Sequence, residues 1–160
     1  MDFEVTAAVR PLRLKAGIAG ELPYPVPTSV GAQRTMRANR RSETGPEVAV
    51  RRLLHARGFR FRKDFRLESA GTRVRADIVF TRRHLAIFID GCFWHGCSDH
   101  GLLPRRNSDY WGPKLSGNVK RDELVSAALA GCGWTVMRFW EHVPPEQIVS
   151  AIIERLRGSM

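Results

Sequence analysis

DIVFTRRHLAIFIDGCFWHGCSDH, residues 77–100, sets the fold class and holds most of the chemistry. Its first half contains two apolar runs, ending at Phe80 and beginning at His84, broken at Arg82-Arg83; they read as strands of a hairpin. Asp77 and Asp90 sit in these strands, where a charge needs a chemical reason. With a two-residue loop, Thr81 pairs with His84 and Asp77 lies opposite Phe88. Asp90 is then on the same face, diagonal to Asp77, with Cβ atoms roughly 7 Å apart. A three-residue loop puts the two acids on opposite faces. The first arrangement suits one or two divalent cations bridged by both carboxylates and a phosphate. Taken singly, each aspartate has a plainer reading as a strand end or an arginine partner.

The second half is a cysteine–histidine cluster. Cys92-x4-Cys97-x2-His100 offers three ligands soft enough for tetrahedral zinc, and His142 is the best fourth candidate. Asp99 is a weaker substitute, and Cys132, in a Gly-Cys-Gly turn, reads as a free cysteine. The plain alternative is two buried thiols with surface histidines. Three cysteines in a chain with no signal-like apolar segment are poor disulfide material. His95 lies between the ligand cysteines and reads as a ligand, a general base or a core residue. Phe93-Trp94 and Trp111 are large rings in loop-like segments; in a basic protein such rings serve either a core or a wedge between DNA base steps.

Outward from this stretch, residues 1–33 hold four prolines and no sustained period, and are expected to form a flexible arm ahead of a single domain, 34–160. Arg34, Arg37, Arg40 and Arg41 make the next segment basic. Thr44-Gly-Pro-Glu47 fits a capping box opening a helix over about 46–57, with Val50, Leu53 and Leu54 on one face and Gly58 at its end. Glu47 thereby has a complete structural role as an N3 cap. Short strands are predicted at Phe59–Arg62, Phe65–Leu67, Val74–Phe80 and His84–Asp90, with a turn at Gly71. Gly101–Gly117 reads as irregular, followed by a helix over about 118–130 and a buried strand, Thr135–Trp140. Pro144-Pro145 starts a last helix, with Ile148, Ile152 and Leu156 four apart. That order is an α/β fold: a mixed central sheet flanked by helices.

The charge points to a polyanion. The 26 Lys+Arg against 16 Asp+Glu give +10, with a pI near 10.7. Arginine dominates the bases and suits bidentate phosphate contacts, although a basic composition alone has no single meaning. No run approaches the length of a membrane span, so the expected location is the cytoplasm, in contact with the nucleoid.

At DGCFWHGC (90–97) the chain resembles the very-short-patch-repair (Vsr-type) DNA mismatch endonucleases. The likeness continues in MRANRRSETGPE (36–47), ADIVF (76–80), YWGPKLSGNVKRD (110–122) and GWTVMRFWEH (133–142), leaving only residues 1–33 outside it. The resemblance implies a restriction-endonuclease-like fold and magnesium-dependent nicking of duplex DNA 5′ of the mispaired T in T:G, initiating repair of deaminated 5-methylcytosine. By motif match, Asp77 is the metal-binding aspartate and Ile89 the residue whose backbone carbonyl reaches the metal. His95 activates the attacking water, and Glu47 supports the site. Phe93, Trp94 and Trp111 match intercalating aromatics, and Cys92, Cys97, His100 and His142 the structural zinc set. Two departures stand out: Asp90 replaces a histidine of some members, and two zinc-ligand positions here are histidines where others have more cysteine.

The resulting expectation is Mg²⁺ held by Asp77, Asp90 and the Ile89 carbonyl, His95 as base, and structural Zn²⁺. Arg37, Arg40 and Arg41, with Lys114 and Asn118, join the aromatics as DNA contacts. The expected partner is double-stranded DNA with a T:G mismatch, bound by a monomer, with mismatch-repair proteins and a companion cytosine-5 methyltransferase as candidate associates. Two alternatives remain: a restriction-type or defence-type nicking nuclease with no mismatch requirement, and a non-catalytic zinc-stabilised DNA-binding module.

Overall fold

Helix α1 (Gly45–Ala56) starts where Thr44-Gly-Pro-Glu places it. Glu47 Oε1 accepts from the Thr44 hydroxyl at 2.9 Å and Oε2 from the Glu43 N–H at 2.8 Å. The expected box is one-sided, because the Thr44 side chain caps no helix N–H. The helix stops at Arg57, and Gly58 follows with φ +84°, the left-handed geometry that frees glycine to turn the chain. The computed structural model describes residues 43–69, 72–100 and 107–158. The arm 1–33, the segment bearing Arg37, Arg40 and Arg41, and the turn at Gly71 lie outside those residues.

Strands β1 (Arg62–Ser69), β2 (Thr72–Phe80), β3 (Leu85–Asp90) and β4 (Thr135–Trp140) form one sheet in the order β1-β2-β3-β4. The first two pairings are antiparallel, while β3 and β4 are parallel. The crossover between β3 and β4 carries α2 (Ser108–Gly131), and α3 (Pro145–Arg157) closes the domain. One face of the sheet is covered by α1 and α3, where Val50, Leu54, Ile148 and Ile152 meet Ile78 and Ile87. On the other face, Val125 and Leu129 of α2 meet Val79, Ala86 and Phe88. Every β3 residue is buried, which explains why its sequence is apolar without alternation. No helix of the described residues is long and apolar enough to cross a membrane.

Three local expectations change. Phe59 and Phe61 precede β1 and pack edge-on against Phe80 at 6.3 and 6.0 Å, so the two short runs predicted there become one strand from Arg62. Helix α2 begins about ten residues before the predicted start and runs through Gly112 and Pro113. Burial of Trp111 and Leu115 on its inner side outweighs the backbone bond that Pro113 cannot make. β4 has the predicted bounds but is half-buried, being an edge strand.

Thr81–Arg83 forms a 3₁₀ turn with His84 left-handed, and Phe80 pairs with Leu85. Continued toward the strand ends, that register sets Asp77 across from Phe88. Strict alternation fails at this point, however. Val74 and Ala76 pack on the α2 side, whereas Ile78 and Phe80 pack on the α1/α3 side. The inward face of β2 therefore switches at Asp77, and facing it on β1 Asp64 has φ +44°.

Candidate active site

Beyond the Ile78–Ile87 pair the β2–β3 ladder ends, and a side chain takes over: the Ile89 N–H donates to Asp77 Oδ2 at 2.7 Å. Burial, joined by the charges of Glu47 and Asp90, pushes Asp77 up to about 7, while the Ile89 hydrogen bond and the Arg51 charge pull it down. Glu47 is buried in the first turn of α1, with Arg51 Nη1 at 3.9 Å. Asp77, Glu47 and the Ile89 backbone thus meet where β2 and β3 part.

Asp90 stands next to this group, at the end of β3, with both oxygens taken. Arg138 of β4 donates from Nε to Oδ2 at 2.7 Å and from Nη2 to Oδ1 at 2.6 Å. The parallel β3–β4 register sets Arg138 beside Phe88, and the guanidinium lies 4.8 Å from that ring's centre.

His95 is fixed by a residue that the sequence reading passed over. Its Nδ1 lies 2.5 Å from Asp122 Oδ2 and 3.8 Å from Asp90 Oδ1. Burial pushes Asp122 up, but the His95 hydrogen bond and the charges of Arg138, His95 and Arg121 outweigh it and hold the carboxyl below its ordinary value. An ionised Asp122 draws the proton of the neutral imidazole onto Nδ1, leaving Nε2 as the basic nitrogen. Asp90, His95, Asp122 and Arg138 line a cavity of about 330 Å³ together with Ser126 and Trp140.

The four sequence-predicted ligands converge: donor atoms of Cys92, Cys97, His100 and His142 all lie within 4.8 Å of one another. Cys92 Sγ is 3.0 Å from His142 Nδ1 and 4.0 Å from His100 Nδ1, and Cys97 Sγ is 3.8 Å from each. Such a group can hold a metal ion. Glu141, also missed in the sequence, latches the same corner: its Oε1 accepts from the Cys92 N–H at 2.7 Å, and its N–H donates to the Asp90 carbonyl at 2.9 Å. Cys132 is a free, exposed thiol away from the cluster.

The aromatics form one knot. Phe93, Trp94 and Trp111 contact one another edge-on at centroid distances of 5.0, 5.4 and 5.8 Å. Phe93 and Trp94 are half-buried, whereas Trp111, read in the sequence as part of a loop, is buried in the first turn of α2. Asn118 Nδ2 donates to the Trp94 carbonyl at 3.1 Å, and Lys114 Nζ donates to the Tyr110 hydroxyl at 3.0 Å. Both side chains thereby brace the knot from α2.

Residues 28–100 match the family profile described as DNA mismatch endonuclease Vsr. Over 134 residues the chain is 51% identical to the type II nicking enzyme V.NaeI of Lentzea aerocolonigenes, an alignment covering 83% of this chain and 81% of that one. This chain belongs to the Vsr family. It is also 47% identical to the type II nicking enzyme V.XorIIP of Xanthomonas oryzae pv. oryzae, over 66% of this chain and 76% of that one. The DNA mismatch endonuclease Vsr of Escherichia coli is 32% identical, over 68% of this chain and 67% of that protein. As a Vsr-family protein this chain is a DNA endonuclease.

Proposed function

We propose that this Vsr-family chain is a magnesium-dependent endonuclease with a restriction-endonuclease-like core, nicking duplex DNA 5′ of the mispaired T in T:G. The observation that carries the reading is the His95–Asp122 pair, set beside Asp90 and next in sequence to Trp94 of the aromatic knot. Asp77 and the Ile89 carbonyl would hold magnesium. A carboxyl raised to about 7 by burial and neighbouring acids is a site short of positive charge, which fits a cation. When bound, magnesium supplies polarisation of the phosphate and a counter-charge for the leaving 3′ oxygen. His95 Nε2 takes the proton of the attacking water, and Asp122 holds the ring for it. Glu47 buttresses Asp77 from α1.

The Cys92, Cys97, His100 and His142 set would hold zinc. Ideal Zn–S and Zn–N lengths give S···N edges of about 3.6 Å in a tetrahedron, and the separations of 3.0 to 4.0 Å bracket it. With zinc bound, these four residues would tie the loop after β3 to the end of β4 and so fix His95. Phe93 and Trp94, backed by Trp111, wedge the duplex where a mismatch has weakened stacking. Arg37, Arg40 and Arg41 hold the backbone, with Lys114 and Asn118 contributing from α2.

A second reading drops the mismatch: sequence-specific nicking of perfect duplex. The names of the relatives at 51% and 47% identity favour it. A strand-resolved nicking assay on mismatched and matched duplexes, with and without Mg²⁺, tests both. Cleavage only of the T strand of T:G supports the first reading; equal cleavage of T:A supports the second.

A further inference from the structure

Asp90, His95 and Asp122 present ligand atoms within 4.8 Å of one another, a grouping that on its face could take a metal ion. A cation is already there. The Arg138 guanidinium grips Asp90 in a two-pronged pair, and its Nη2 also lies 3.3 Å from Asp122 Oδ2. The pair is largely shielded: the Asp90 and Arg138 side chains are 11% and 24% exposed. Bidentate, charge-assisted contacts in such a setting are strong and fixed in direction. The Phe88 ring lies under the guanidinium and further limits its movement. Arg138 Nη1 has no partner among the described residues, and the side chain lines the cavity beside His95.

We infer that Arg138 is the resident cation of this active site, keeping Asp90 as its own anchor and out of the metal shell, so that catalytic metal binding is confined to Asp77. Asp90, an expected magnesium ligand on sequence grounds, is on this account a positioning residue. Its carboxylate aims a permanent guanidinium, with Nη1 left to meet a phosphate oxygen. A second divalent ion would have to break two charge-assisted hydrogen bonds and leave Arg138 unpaired beside it. The inference rests on the proposed metal site at Asp77 only for where the remaining ion sits.

Two backbone and side-chain N–H groups report on it in the full-length, metal-replete chain. The Ile89 amide is bonded to Asp77, and the Arg138 Nε–H to Asp90. In ¹H–¹⁵N spectra, saturating Mg²⁺ should shift the Ile89 amide and leave the Arg138 Nε–H signal in place. Counting Mn²⁺ by electron paramagnetic resonance should give one ion in the parent and two in Arg138→Met, with nicking in that variant falling at least tenfold. Arg138→Lys should recover the single-ion count but only part of the rate, because an ammonium has no fork. Loss or displacement of the Arg138 Nε–H signal on adding Mg²⁺ overturns the inference, and so does an unchanged count in Arg138→Met. A silent Ile89 amide together with an ion gained in Arg138→Met upholds Arg138 as the resident cation holding Asp90 out of the metal shell, and overturns the placing of the metal at Asp77.

Discussion

Two clusters of ligand-type residues share one end of the sheet and are built in opposite ways. The Cys92–Cys97–His100–His142 group is closed: four soft donors converge, and its two cysteines are buried. The Asp77–Asp90–His95–Asp122 group is open. Its acids are satisfied by a backbone N–H, a guanidinium and an imidazole, and beside them lies a cavity of about 330 Å³. Four donors that converge on one another are suited to hold structure together, whereas groups lining a cavity can meet a substrate. Substitutions in the first should therefore cost the fold, and those in the second the rate.

The largest effect expected is at the closed cluster. Cys97→Ser should lower stability by more than about 4 kcal/mol, beyond the ordinary range for one substitution, and bring bound zinc below one equivalent. Denaturant melts and metal analysis measure both, and unchanged zinc would remove Cys97 from the set. In the open group, His95→Ala should reduce single-turnover nicking by about 10²–10⁴ with DNA affinity and melting temperature nearly unchanged. Asp122→Asn should cost less, on the order of 10–100-fold, because it removes only the group that orients the ring. A rate loss in Asp122→Asn accompanied by unfolding would move Asp122 to the structural side of the comparison.

The closed cluster was legible in the sequence and much of the open one was not, for a physical reason. Three of the four soft ligands lie within nine residues, and few other environments use thiols and imidazoles at that spacing. Asp122 and Arg138 reach the site from α2 and β4, so only the tertiary fold brings them to His95 and Asp90. Each still left a trace. Asp122 interrupts the inner stripe of α2 between Leu115 and Val125, and Arg138 is a charge inside the apolar run TVMRFW. β2, β3, β4 and the first and last helices followed from periodicity and turn residues, whereas β1 reads in the sequence as two shorter runs. The early start of α2 was hidden by Gly112 and Pro113, whose local preference burial of Trp111 overrides. The switch of inward face at Asp77 left no trace, because alternation is a rule about regular strands and this one bends.

The open group also has a pH signature of its own, centred on Asp77. The unfolded chain releases the Asp77 proton near 3.8, whereas the folded chain keeps it to about 7. Without metal, that group's contribution to stability is fully present below 3.8 and is lost as pH rises through about 7. Magnesium bound at Asp77 would compete with the same proton. Added Mg²⁺ should therefore raise the melting temperature at about pH 8 and hardly at all at about pH 5, and Asp77→Asn should erase the difference. A rise of equal size at both pH values would place the ion elsewhere.

The smallest effect concerns the Phe93–Trp94–Trp111 knot. Trp94 is half-buried and packs on Phe93 and Trp111, so removing it leaves two rings still in contact. Stacking of a ring on a base is worth about 1–3 kcal/mol, and a wedge gains most where the step is already loosened. Trp94→Ala should thus lower the preference for T:G over T:A about tenfold, while general duplex affinity changes by about twofold. If the protein instead nicks perfect sites, there is no loosened step to exploit, and both duplexes should lose the same factor. Parallel titrations of the two duplexes distinguish a mismatch wedge from a shared surface contact, because only the wedge makes the loss depend on the base opposite thymine.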